Sequence, residues 1–207
     1  MCGTTRGIKG AGGRRPDGLE DPGERVAPMA DEPLVDRRVI HGELERARIA
    51  FHHLVADATE EELRRRTAGT RWTNEQLLFH MLFGYILIRP LLIVMRVFQR
   101  LPDRAGRAFA GVLNTATRPF DLVNHLGPVG AVRVFRPRRM AVLFDRVIAD
   151  LHRRLDSESE TGLARGMPYP DRWDPFFDDF MTVAELYRYP TRHFDFHRRQ
   201  LTLTEDG

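Results

Sequence analysis

The apolar positions of this chain recur at steps of three and four residues over most of its length, and the pattern is interrupted at capping residues, glycines and prolines. From Leu34 to Ala58 the series Leu34, Val35, Val39, Ile40, Leu44, Ala47, Phe51, Leu54 and Val55 predicts an amphipathic helix. The turn "TEEELRRRTAG" follows, with Thr59 and Glu62 spaced as a capping box and Gly69 placed to end it. In "TRWTNEQLLFHMLFGYILIRP" Thr73 caps a second helix that begins at Asn74. Gln76 stands where it can return the bond, and Trp72 where it can staple against Leu77. Pro90 is expected to kink or end that helix, with "LLIVMRVFQRL" continuing as a separate helical piece before Pro102.

Residues 102 to 136 read as a short helix over "RAGRAFAGVLNTATR" and then a loop punctuated by Gly and Pro. "RRMAVLFDRVIADLHRRL", Arg138 to Leu155, is periodic again. The stretch from Asp156 to Phe180 reads as loop, and "MTVAELYRYPTRHFDFHRRQLTL" as a last helix, capped by Thr182 with Glu185 and kinked at Pro190. No strand pattern, internal repeat or glycine-rich phosphate loop stands out. Four main helices make an all-α four-helix bundle the economical architecture.

Composition adds less. The chain has 207 residues, 32 basic against 29 acidic, with Lys9 the sole lysine. Arginines alternate with acids along most segments instead of clustering, which argues against nucleic acid as a partner. Residues 1–33 are rich in Gly, Pro and charge and are expected to be a disordered tail before a domain at 34–203, with Met29 a candidate alternative start. The tail has no apolar core of a secretory signal, and the only cysteine, Cys2, lies in it, so a cytoplasmic protein without disulfides or a catalytic thiol is expected. The apolar run from Leu77 to Phe98 is long enough to span a bilayer, but His80, Arg89 and Arg96 interrupt it and Pro90 bends it. A bundle helix is the better reading, and membrane contact is disfavoured.

The chemistry of interest sits on two of these helices. His193 and His197 are four residues apart, hence on one helical face, where two imidazoles can point at one ion. His80 lies within the apolar run "QLLFHMLFGYILI", where a lone imidazole must find a polar partner. A backbone carbonyl would serve. A metal ion shared with the other pair would satisfy all three rings at once. His41, His52, His53, His125 and His152 fall on mixed faces or in a loop and read as solvent-exposed. Gln76 sits one turn before His80 on the same face, where it could touch a metal-bound water, but capping is the stronger explanation. The aromatic stretch "RWDPFFDDF" reads as a plug over the bundle end, though a lid over the metal would use the same residues.

"RWTNEQLLFHM", an aromatic residue and a capping Thr followed by an apolar helix with one His, together with the terminal "HFDFHRRQL", resembles the DinB/YfiT-like metalloproteins over roughly residues 34 to 203. The resemblance implies a four-helix bundle with His80, His193 and His197 as ligands of zinc or nickel and water in the remaining positions. It also implies a transferase or isomerase that uses an external low-molecular-weight thiol such as bacillithiol or mycothiol. The expected partner is a small-molecule electrophile or thiol, and a homodimer is compatible with the sequence. A metal-dependent hydrolase and a non-catalytic stress protein with a structural metal are the alternatives. The chain departs from the family pattern in a longer connection between His80 and His193, mainly through residues 90–136.

Overall fold

The computed structural model describes residues 36–203; the expected tail at 1–33, with Cys2 and Met29, lies outside the described residues. Four long helices carry the core: α1 (Arg37–Asp57), α3 (Asn74–Phe98), α6 (Pro137–Ser157) and α8 (Val183–Arg198). Helix α3 packs on α8 and α6, and α1 packs on the same two, so the four close a ring. The apolar stripes meet inside it, with Leu44 and Phe51 of α1, Leu78 and Tyr85 of α3, Phe144 of α6 and Phe194 of α8 all buried. Phe144 lies edge-on to both Phe51 and Tyr85, with ring centroids 4.7 and 4.8 Å away. Shorter elements fill the connections: α2 (Glu60–Arg64), α4 (Asp103–Thr115), α5 (Thr117–Ala131), α7 (Glu160–Ala164) and a two-stranded ribbon of β1 (Gly166–Pro168) and β2 (Phe180–Thr182).

All three expected capping boxes are present, at Thr59 with Glu62, Thr73 with Gln76 and Thr182 with Glu185. At the start of α8 the Thr182 hydroxyl accepts from the Glu185 amide at 3.2 Å, and the Glu185 carboxylate accepts from the Thr182 amide at 2.7 Å. Thr182→Ala should therefore lower stability by about 1 kcal/mol. A denaturant midpoint equal to that of the parent protein would place the start of α8 elsewhere.

The connections differ from the sequence expectation in three places. Helix α3 runs without a break through Pro90, which is exposed, so the carbonyl it leaves without a donor can be hydrated. The flanking Ile88 and Leu92 are fully buried and hold both halves to the core. The residues expected as a loop after Arg118 form α5 in spite of Gly127, Pro128 and Gly130, because Val129 and Ala131 pack against the core. The stretch expected as loop from Asp156 to Phe180 contains α7 and β1. In the ribbon Gly166 pairs with Thr182 and Met167 with Met181. A Cβ at Gly166 would lie 2.5 Å from the Met181 carbonyl oxygen, so glycine is required there.

Helix α3 is long and apolar enough to cross a membrane by length and composition, but 56% of its most apolar window is buried within the protein, as in a core helix.

Candidate metal centre

His80 sits two turns into α3, and His193 and His197 sit one turn apart near the end of α8, the helix that packs most closely on α3. Close approach of the two helices depends on Gly84, where a Cβ would come within 3.1 Å of His193 Nδ1. Tyr85 and Thr191 share a buried hydrogen bond of 3.1 Å across the same contact. The end of α8 is fixed by the chain that follows it. Asn74, fully buried, donates to the Thr202 hydroxyl at 3.0 Å and accepts from the Thr202 amide at 3.0 Å, and the Gln200 carbonyl accepts from the Ala68 amide at 2.8 Å.

The three sequence-predicted histidines come together. One ligand nitrogen of each lies within 4.8 Å of the others. Nε2 of His80 and Nε2 of His193 are 3.0 Å apart, close to the roughly 3.3 Å that separates two nitrogens on a tetrahedral ion bound at about 2.0–2.1 Å. Only one proton fits between them, so at least one lone pair points into the gap. His197 donates from Nδ1 to the Gln200 side-chain oxygen at 2.7 Å; in the neutral ring this fixes the tautomer and leaves Nε2 as a lone pair. The Nδ1 atoms of His80 and His193 are buried without a hydrogen-bond partner. Burial keeps the rings uncharged: it pushes His80 down to about 3, with the neighbouring His197 adding to the effect. Burial, then His80 and His197, hold His193 well below the usual range, and burial lowers His197 against its bond to Gln200. Two buried imidazoles and a half-buried one, neutral and with converging nitrogens, are a donor set that could hold a divalent metal ion.

The walls are aromatic. The Trp72 ring lies 4.5 Å from His80 and donates its indole N–H to the His125 carbonyl at 3.2 Å. Phe176 meets His193 edge-on at 6.2 Å, and Phe196 meets His197 at 5.2 Å. The aromatic loop therefore reaches the histidines, as a lid would, and Trp173 ties it to α4 by donating to the Leu113 carbonyl. Gln76 caps α3, accepting from the Thr73 amide at 3.0 Å.

One site residue escaped the sequence reading. Asp174, nearly buried at 11% side-chain exposure, places Oδ2 3.9 Å from His193 Nε2. The Tyr189 hydroxyl donates to that oxygen at 2.9 Å, and the Phe176 amide donates to Oδ1 at 2.9 Å. Burial raises its carboxyl above the ordinary range despite these bonds. The loop holds three acids, and Asp178 and Asp179 are exposed; linear sequence carries no signal for which of them turns inward.

The expectation that the remaining histidines are simply exposed holds for His53 alone. His41 and His152 stack between α1 and α6 with centroids 4.8 Å apart, and their Nε2 atoms meet Asp156 and Glu45 at 3.0 and 2.9 Å. His52 meets Asp145 at 2.7 Å. These rings are half-buried because the α1–α6 contact passes through them. His125 is half-buried beneath Trp72.

The pKa directions give a test on metal-free protein. In the unfolded chain histidine titrates near 6.5. Above that value both states are neutral and stability is complete. Between about pH 6.5 and about 3 the unfolded chain takes up protons that the folded cluster refuses, so stability falls on acidification. Thermal midpoints should drop from about pH 7 to about pH 4, and His80→Gln should flatten part of that slope. Equal slopes in the two proteins would mean that the buried rings are charged in the fold.

The chain matches the family described as the DinB superfamily over residues 43–201. No curated protein and no solved structure matches it. The matched residues run from α1 to the turn after α8 and include His80, His193 and His197 as well as the helical ring that brings them together. This chain belongs to the DinB superfamily.

Proposed function

We propose that His80, His193 and His197 bind one divalent ion, zinc or nickel, with a coordination position left open, and that the protein is a transferase acting on an external low-molecular-weight thiol and a small electrophile. The observation that carries this reading is the convergence of three uncharged imidazoles, two buried and the half-buried third oriented by Gln200, beside a nearly buried carboxylate. When bound, such an ion supplies a Lewis acid that lowers the pKa of a coordinated thiol or water. Asp174 is placed to accept the proton released there, at Oδ2, while Tyr189 and the Phe176 amide keep its carboxylate aimed at the cluster. Trp72 and Phe176 shield the same space from bulk water. The chain contributes no thiol of its own among the described residues, its one cysteine being Cys2, so the sulfur comes from outside.

Asp174 also favours a second reading, since a carboxylate beside a bound water suits a metal-dependent hydrolase equally well. The deciding assay follows conjugation of monochlorobimane with bacillithiol, mycothiol and glutathione supplied in turn, with and without metal. Conjugation that requires both metal and one thiol is expected. Turnover of an ester panel at full rate without thiol would give the site to the hydrolase, and bound metal with no turnover of any kind would make it structural.

A further inference from the structure

Residues 93–136 carry seven arginines against Asp103 and Asp121, a net charge of +5 in a chain whose total is +3, so that the rest of the chain is net −2. Arg100, Arg104, Arg107, Arg118 and Arg133 are exposed, and none forms an ion pair with a residue whose side chain is described. The same segment holds eight of the thirteen large apolar side chains exposed among the described residues. They stand in helical register. Ile93 and Val97 lie one turn apart on α3, and Leu122 and Leu126 one turn apart on α5 with Val123 beside them. On α4 the exposed face sets Val112 beyond Arg104 and Arg107.

We propose that the outer faces of α4, α5 and the end of α3 form a docking surface for the headgroup region of an anionic lipid bilayer. This surface joins exposed aliphatic side chains to exposed arginines on consecutive helices, the combination by which a helix lies in a membrane interface: the apolar residues enter the acyl boundary and the cations meet lipid phosphates. A second copy of the chain is disfavoured as the occupant, because it would bring one arginine-rich surface against another. Nucleic acid would use the arginines but leave the leucines and valines against water. The contact is peripheral, and α3 stays in the bundle core. The docked helices also reach the histidine cluster, since the His125 carbonyl of α5 holds Trp72 over His80. Docking does not require a bound metal.

The test is co-sedimentation of the full chain with phosphatidylcholine vesicles, with and without phosphatidylserine. Binding should require phosphatidylserine and weaken with added salt. It should fall by about tenfold or more in Leu122→Glu/Leu126→Glu and in Arg104→Glu/Arg107→Glu, while Ile49→Glu and Val142→Glu, at exposed apolar positions outside the segment, should bind as the parent does. If the acidic variants fold poorly, Leu126→Trp provides an independent readout: the emission of the introduced indole should shift to the blue and be quenched by brominated phosphatidylserine vesicles. Equal sedimentation with both lipid mixtures, an emission spectrum of Leu126→Trp that vesicles leave unshifted, a dimer that Leu122→Glu/Leu126→Glu dissociates in the absence of lipid, or duplex DNA that displaces the vesicles would each overturn the proposal.

Discussion

Alanine at His80 is expected to reduce the metal content of the protein from one ion per chain to background. Loss of this ring removes the nitrogen that faces His193 Nε2 at 3.0 Å and leaves two ligands on a single helix. Disturbing an outer partner of a metal ligand already weakens binding by about 10–100-fold, and deleting a ligand should exceed that. His193→Ala and His197→Ala should behave alike, because the cluster among the described residues has no further imidazole to substitute. His52→Ala and His152→Ala supply the contrast. Their rings are committed to Asp145 and Glu45 on the α1–α6 contact and should leave metal content unchanged. Full occupancy in His197→Ala would remove the three-histidine site.

Asp174→Asn should lower turnover by about 10²–10⁴-fold while metal content stays at the parent level. The amide keeps the shape of the carboxylate and its oxygen can still accept from the Phe176 amide, while its nitrogen donates to the Tyr189 hydroxyl in place of the present bond, but it cannot take a proton. A residue that served only to hold the loop would tolerate this change, so a shifted or flattened acidic limb of the pH–rate profile separates a proton acceptor from a structural support. Parent-level turnover in Asp174→Asn would leave the proton with another group.

Much of this site was legible before any coordinates. Three capping boxes set the starts of α2, α3 and α8 because each rests on two side chains at fixed spacing that bond the nearest amides. The histidine trio was legible for a related reason, as one ring in an apolar run and two on one helical face leave few arrangements that satisfy all three. What escaped depends on tertiary context. Helix α5 forms over Gly127 and Pro128 because Val129 and Ala131 find the core, and local propensity argues against it. The ribbon of β1 and β2 is three residues deep on each side, too short for an alternating pattern to register. Asp174 is inseparable from Asp178 and Asp179 until the loop is folded, and His41 and His152 read as surface residues until α1 is laid against α6.

Folding and chemistry meet at Gly84 and Gln200. The first lets His193 lie against α3 without a Cβ in its way, and the second engages His197 at Nδ1 and leaves its Nε2 with a free lone pair. Neither residue belongs to the cluster, yet each bears on how one of its imidazoles sits.

Whether this arrangement holds a metal ion is tested most directly by elemental analysis of protein purified without an affinity tag. One zinc or nickel per chain, lost together with His80, is the expected result. Protein that emerges metal-free and takes up neither ion from solution at stoichiometric concentration would contradict the three-histidine metal site and leave His80, His193 and His197 packed as a neutral core.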